Sequence, residues 1–406
     1  MHMETGRKIL GRHPACLCGV ILAVAAGCER VDHTGEMILP DTAFVSLDSV
    51  ARLLSVLPIG EEHLCEVHDA VSSSSSNGYD EEYTMKDLFS TPGKGVGADD
   101  AGSRAAGQNY DRPLRELIRE HLSAKVKSAS PESGISAERY LELLESSDMQ
   151  IYWPYSELWD GESYPVITYN PGGEARTNTG YRVKVTSDGK RELEEVIVDE
   201  EMAMSEPVWV VNRNNDSGYT SLEMLRRNDP EWSTGGGNII VKPASVKSAN
   251  SRTLVLKDFK MLRNYDSWFA GASEFFVKCG RVEDFTASTE AELKLYSPKI
   301  SDFMIVVRRK YVGVKVPFNA VMVSQWTDQT ESMALMITED DGGTRTEWKC
   351  SAVVKIKSKS YGFDVSLPFN TRDDIVWRGQ LSGEYLEKYD GKTARFGDVE
   401  VTFAFL

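Results

Sequence analysis

The histidines of this chain stop early. They stand at positions 2, 13, 33, 63, 68 and 121, and none follows. Residues 122–406 therefore cannot supply a Ser-His-Asp relay, a Cys-His pair or a histidine-bound zinc of their own. In His63-Leu64-Cys65-Glu66-Val67-His68 the two histidines are five residues apart, which separates them by about 140° around a helix. The His-Glu-x-x-His zinc helix needs both on one face, one turn apart. The segment reads as a polar helix with a packed Cys65. No catalytic motif is found, and the chain reads as non-enzymatic.

Carboxylates and aromatics remain. Asp and Glu number 62 against 46 Lys and Arg, a net charge of −16. Such a field repels phosphate backbones, so nucleic acid is excluded as a general partner. Acids gather in the last third as Asp266, Glu274, the run Glu339-Asp340-Asp341 before Gly342-Gly343, and Asp373-Asp374. Calcium takes roughly six to eight oxygens, so carboxylates converging from several loops are what its chemistry needs. No other cofactor motif is present. A glycosidase would need two acids and no histidine, but no spacing singles out a pair. Tyr152, Trp153, Tyr155, Trp159, Tyr164 and Tyr169 form an aromatic stretch. Trp153, Tyr155 and Trp159 are the candidates for a sugar-stacking platform, and core packing is the alternative.

These residues have to be positioned by strands and helices. Val50, Leu53, Leu54 and Leu57 recur at helical spacing and predict a helix over 46–57. Further helices are expected over 61–73, 111–125 and 137–146, with a turn or helix end at Asn77-Gly78 and a Gly- and Ala-rich linker over 91–110. From Met149 the pattern becomes short alternating runs at 165–169, 181–185 and 207–211, separated by Asn170–Gly173 and Ser187–Lys190 turns that suggest hairpins. Thr234–Asn238 reads as a loop, and residues 252–406 are strand-rich. Cys279 and Cys350 fall on strands of this last part, either as a disulfide or as two buried thiols.

Gly271-Ala272-Ser273-Glu274-Phe275-Phe276-Val277-Lys278 resembles the Gly-x-Ser-Asp-Pro-Tyr-Val-Lys run of C2-type sandwiches. Asp266 stands upstream, two residues further than that family places its first calcium carboxylate. Leu335–Gly343 resembles the family's strand and Asp-x-Asp loop, and Asp373-Asp374-Ile375-Val376 its closing Asp-Asp-x-Ile element. Glu274 and Glu339 replace Asp, the Pro is missing, and the second and third elements are widely separated. The resemblance covers residues 252–406 and implies a C2-like sandwich with calcium ligands among Asp266, Glu274, Glu339, Asp341 and Asp373. The aromatic segment near Trp153 resembles that of uncharacterised exported lipoproteins, which brings no activity.

At the N-terminus Arg7, Lys8 and Arg12 precede the apolar run Ala15–Cys28. A basic start, an apolar stretch and small residues make an export signal, too short to span a bilayer, which takes roughly 20 apolar residues. Ala25-Ala26-Gly27-Cys28 resembles the lipobox of bacterial lipoproteins, which implies cleavage before Cys28 and acylation of that residue. An ordinary signal cut nearby is the alternative. Removing residues 1–27 moves the net charge from −16 to −18, because three of the basic residues and only Glu4 are lost. Glu29, not Asp, follows the cysteine, so the resemblance implies the outer membrane, on either face.

The expected organisation is a signal (1–27), a tether (28–40), a helical region (41–90), a linker (91–110), a helical segment (111–147), a β-rich middle domain (148–248) and a C-terminal β-sandwich (249–406). The fold class is α+β, mainly antiparallel β. The expected role is that of a lipid-anchored cell-envelope protein, joined to the membrane by its anchor and presenting a binding or structural surface to a protein or glycan. A calcium-dependent binding module and a glycan binder or carboxylate-pair glycosidase are its rivals.

Overall fold

Ser46 starts the first helix, α1 (Leu47–Val56). Its hydroxyl accepts from the Ser49 amide at 3.1 Å, and the Ser49 hydroxyl accepts from the Ser46 amide at 3.0 Å. This capping box satisfies two donors that the helix itself leaves unpaired. The computed structural model describes residues 45–90, 110–128, 136–185, 191–214, 219–228 and 251–406. The export signal with Cys28, the tether, linker residues 91–109 and the turns at 187–190 and 234–238 lie outside the described residues.

The helical region does not stand apart from the strands. Val50, Leu53 and Leu54 of α1 are buried, and α1 packs on the middle sheet. Helix α2 (Glu61–Ser76) runs through the serines to Asn77, further than the expected end. Strand β1 (Glu82–Thr84), α3 (Met85–Phe89), α4 (Leu114–Ser128) and α5 (Ala137–Glu145) follow. The middle sheet adds β2 (Met149–Tyr152), β3 (Val166–Tyr169), β4 (Thr177–Val185), β5 (Arg191–Asp199) and, after α6 (Glu200–Ala203), β6 (Val208–Arg213). Its order is β1-β2-β6-β3-β4-β5. Strand β6 lies parallel to β3, with Val166 opposite Val208, so the sheet is mixed rather than a chain of hairpins. A short helix, α7 (Leu222–Asn228), leads on.

The remainder is an antiparallel sandwich, and the class is α+β. Strands β7 (Arg252–Met261), β8 (Ser273–Arg281), β9 (Lys299–Val307), β10 (Val316–Trp326), β11 (Thr330–Glu339), β12 (Arg345–Ile356), β13 (Lys359–Asn370) and β14 (Asp374–Ser382) precede α8 (Gly383–Lys388), β15 (Thr393–Phe396) and β16 (Val399–Phe405). One sheet runs β10-β7-β16-β15 and the other β13-β12-β11-β8-β9, with β14 also on β11. Alternate residues Phe275, Val277 and Cys279 of β8 and Met333, Leu335 and Ile337 of β11 meet Leu254, Leu256 and Phe259 of β7. The β12–β13 hairpin covers the opposite face, where Ala334 and Met336 pack with Val354, Val365 and Leu367. A Cβ on Gly280 would lie 2.3 Å from the Val365 Cγ1, so this close approach requires glycine.

One loop joins the two halves. Between β7 and β8 the chain carries Trp268 and Phe269 into the core of the middle sheet, among Tyr152, Val166, Val198, Val208 and Val210. The Trp268 indole donates to the Arg176 carbonyl at 3.0 Å. Asn212 donates to the carbonyls of Phe269 and Ala270 at 3.1 and 2.6 Å. Described residues from 45 to 406 belong to a single compact unit, and the boundary near residue 249 is crossed by a shared core.

Phe269→Ala is expected to destabilise the protein by about 3–5 kcal/mol, the range for losing a buried phenyl group. Urea unfolding measures it. A loss below about 1 kcal/mol would make the loop peripheral.

Candidate functional site

Strand register brings acids to one end of the sandwich. Glu339 is the last residue of β11, where it continues the inward row of Met333, Leu335 and Ile337, opposite Phe275 of β8 and Asp374 of β14. Glu274 stands near the start of β8, its carbonyl accepting from the Asp340 amide at 3.0 Å. Asp266 arrives on the loop that bears Trp268 and Phe269. One carboxylate oxygen from each of Asp266, Glu274 and Glu339 lies within 4.8 Å of the other two.

Burial makes this group costly. Glu339 is 1% exposed, and its Oε1 is buried with no hydrogen-bond partner. Burial, then the neighbouring Asp266, pushes the Glu339 carboxyl up to about 11. Burial pushes Asp266 up to about 7, with the charge of Asp341 adding to it. Charges this close repel, and low dielectric disfavours the ionised forms. Arg309 only partly relieves them. Its guanidinium is engaged by Glu200 at 2.7 and 3.2 Å, and it donates to the Asp266 carbonyl at 2.9 Å. It braces the loop against α6 of the middle sheet. The arrangement offers hard oxygen ligands, suited to a cation such as calcium.

The five residues singled out by the C2-type resemblance divide. Asp266, Glu274 and Glu339 converge. Asp341 is exposed beside them, its carboxyl raised by partial desolvation and then by Asp374 and Asp340. Asp373 goes elsewhere, because strand parity sends Asp340 away from Glu339. Asp373 accepts from the Asn370 amide at 2.8 Å, and the Asn370 side chain donates to Asp340 at 3.2 Å. Burial raises Asp340 to about 6, with the charge of Asp373 contributing. Sequence spacing missed Asp340, although it keeps the alternation of buried Thr338. Asn264, two residues before Asp266, was missed as well; its Oδ1 is buried without a hydrogen-bond partner.

Beside the carboxylates lies a cleft of about 1270 Å³, lined by Asp266, Asp341 and Asp374 on one side and by Arg176, Thr177 and Glu200 on the other. The aromatic candidates sit differently. Trp153 is 1% exposed, and its ring packs on His68, Trp159 and Trp209 at 5.6, 5.3 and 5.7 Å. Tyr155 takes a positive φ of 58° and donates to Glu200 at 2.9 Å. The Trp159 indole donates to the Ser163 carbonyl at 2.9 Å. Trp153 therefore packs in the core and presents no ring face to a sugar. Cys65, Cys279 and Cys350 are free thiols. Cys279 faces the Met333 sulfur at 3.3 Å and Cys350 the Val365 carbonyl at 3.4 Å, so the pair is two thiols rather than a bridge.

The chain matches no family model, no curated protein and no solved structure. What the site does follows from its own electrostatics. A carboxyl whose folded pKa lies above its unfolded value of about 4 binds its proton more tightly when folded. That stability is complete below about pH 4 and is lost as pH rises through the folded value. The folded values are about 6 for Asp340, about 7 for Asp266 and about 8 for Glu81, which burial and then Asp80 raise. Lowered groups such as Glu157, held down to about 2 against its burial by Glu81 and Lys310, act only in the acid range. In chelator, the melting temperature is expected to fall between about pH 5 and pH 8. Circular-dichroism melts at three pH values check this, and a rising melting temperature would contradict it.

Proposed function

We propose that this chain is a lipid-anchored cell-envelope protein whose sandwich binds calcium and presents the adjoining cleft as a calcium-dependent binding surface. The observation that carries the reading is the convergence of Asp266, Glu274 and Glu339 within 4.8 Å. The buried, unpartnered Oε1 of Glu339 supports it, since a buried acceptor lacking a partner costs free energy that a bound cation would recover. The three residues are also ones that the C2-type resemblance assigns to calcium. Calcium tolerates irregular carboxylate sets, whereas magnesium demands near-ideal octahedral geometry and keeps its waters. The anchor reading rests on Ala25-Ala26-Gly27-Cys28 and on the short apolar run before it.

A ligand that binds only the folded state stabilises it by about 2.7 kcal/mol at a hundred times its dissociation constant. Millimolar calcium is therefore expected to raise the melting temperature of the full chain in mild detergent by several degrees over chelator. Magnesium should do less, and Glu339→Gln should abolish the rise. An unchanged melting temperature with calcium would end this reading. For the anchor, Cys28→Ser is expected to move the protein from the detergent to the aqueous phase in a phase-partitioning assay. Equal partitioning of both forms would remove the lipid.

A further inference from the structure

We propose that β5 is an interface between two copies of this chain, which pair edge to edge and antiparallel about a two-fold axis at Glu195. The inference is independent of the cation site. Strand β5 (Arg191–Asp199) is the last of the middle sheet, and no described strand pairs with its outer side. Native proteins blunt such edges with short strands, Pro, Lys or bulges. Here nine consecutive residues pair with β4 without a register shift, and the strand contains no Pro and no Lys. Leu193 and Ile197, on one face of it, are 45% and 64% exposed. A long, regular edge that carries exposed aliphatic side chains is a template for another strand.

The occupant follows from the strand itself, because β5 is complementary to its own reverse. With the axis at Glu195, Arg191 of each copy meets Asp199 of the other and Leu193 meets Ile197 on one face, while Glu192 and Glu194 meet Val198 and Val196 on the other. Opposite charges and aliphatic side chains placed across from one another are what stabilise neighbouring strands. Arg191 spends one donor on the Ile59 carbonyl at 3.1 Å, and Asp199 spends one oxygen on the Met202 amide at 2.9 Å, so both keep groups to offer. Two of the acids are offset within each copy. Glu194 is held by Lys184 at 2.6 Å. Glu195 lies opposite Tyr181, whose ring carries the Arg52 guanidinium at 5.0 Å, which sets a cation beside the point where the two Glu195 side chains meet. Each copy presents the same strand, so the contact closes as a dimer and cannot run on into a fibre. One pair of strands makes a small interface, which belongs to the weak, reversible class.

Cysteine cross-linking of the full chain in mild detergent tests both the pairing and its register. Directly opposite residues of antiparallel strands have Cα atoms about 4.5–5.5 Å apart, within the reach of a disulfide. Glu195→Cys should therefore give a disulfide-linked dimer on oxidation, above the wild-type background. Leu193 of one copy lies about 13 Å from Leu193 of the other at the rise of a strand, as do the two copies of Ile197. Leu193→Cys and Ile197→Cys should thus cross-link only when the two variants are mixed. Sedimentation equilibrium of the wild-type chain across a concentration series should show reversible dimers. Ile197→Lys, which sets an ammonium against Leu193, should weaken them at least about tenfold. Monomers throughout the series overturn the proposal. So does cross-linking of Glu195→Cys no stronger than wild type, or equal cross-linking by Leu193→Cys alone. Dimers that survive Ile197→Lys unchanged have their interface elsewhere and overturn it as well.

Discussion

Two adjacent rings give the two halves of this fold a shared core. Trp268 and Phe269 leave the sandwich on a loop and finish in the core of the middle sheet, with ring centroids 3.9 Å apart. A fully buried side chain of this size stabilises by about 1.5–3 kcal/mol through area alone. The loop backbone must also be satisfied where it enters, and Asn212 donates to two successive carbonyls there. Such double anchoring leaves little freedom for Asp266, two residues before Trp268. Arg309 removes more by joining the Asp266 carbonyl to Glu200. The carboxylate group at the end of the sandwich is thus held by contacts made in the other half, and the cleft beside it has one wall from each.

Charge burial is handled in two different ways within the same sandwich. Glu283 is buried, yet against that burial Arg281, the Ser324 amide and Lys299 hold its carboxyl below the ordinary range. That is a structural ion network with every oxygen engaged. At Glu339 the nearest charges are other acids, and burial with Asp266 raises the carboxyl instead. Replacing buried charge by apolar side chains is often neutral or stabilising, so stability gives no reason for an acid at the end of an inward-facing apolar row. Strongly raised groups beside a cleft are where binding and proton chemistry concentrate. The contrast between Glu283 and Glu339 separates a staple from a site.

Local physics made some of this visible in the sequence. Helix α1 could be read from Val50, Leu53, Leu54 and Leu57 at helical spacing. The sandwich strands could be placed from β-branched and aromatic runs, but β8 and β11 are buried on both faces, so alternation did not give their inward residues. Strand β5 was not legible: Glu192, Glu194 and Glu195 make it polar, and it lies at a sheet edge where polar side chains are tolerated. Three carboxylates could be named from the C2-type resemblance. The choice between Asp340 and Asp341, and the place of Asp373, depended on strand parity at the end of β11. Trp153 looked like a platform because Trp209, which covers it, arrives only when β6 inserts between β2 and β3. The hydrogen bond from the Ala272 amide to Asp80 spans 192 positions, beyond any local pattern.

Ligand chemistry bears on the same point. With no histidine beyond position 121, and with the thiols among the described residues away from the cleft, oxygen is the main ligand atom there. Oxygen sites favour hard cations. Carboxyls that hold protons near neutral pH bind such a cation in competition with those protons, which lowers apparent affinity. Weak sites are useful only where the ion is abundant, as in extracellular modules with dissociation constants of about 10⁻⁴–10⁻³ M. Tight, submicromolar sites instead rely on ligands that are already ionised. The raised carboxyls look like a defect when only folding stability is considered, and they fit a weak site of that kind.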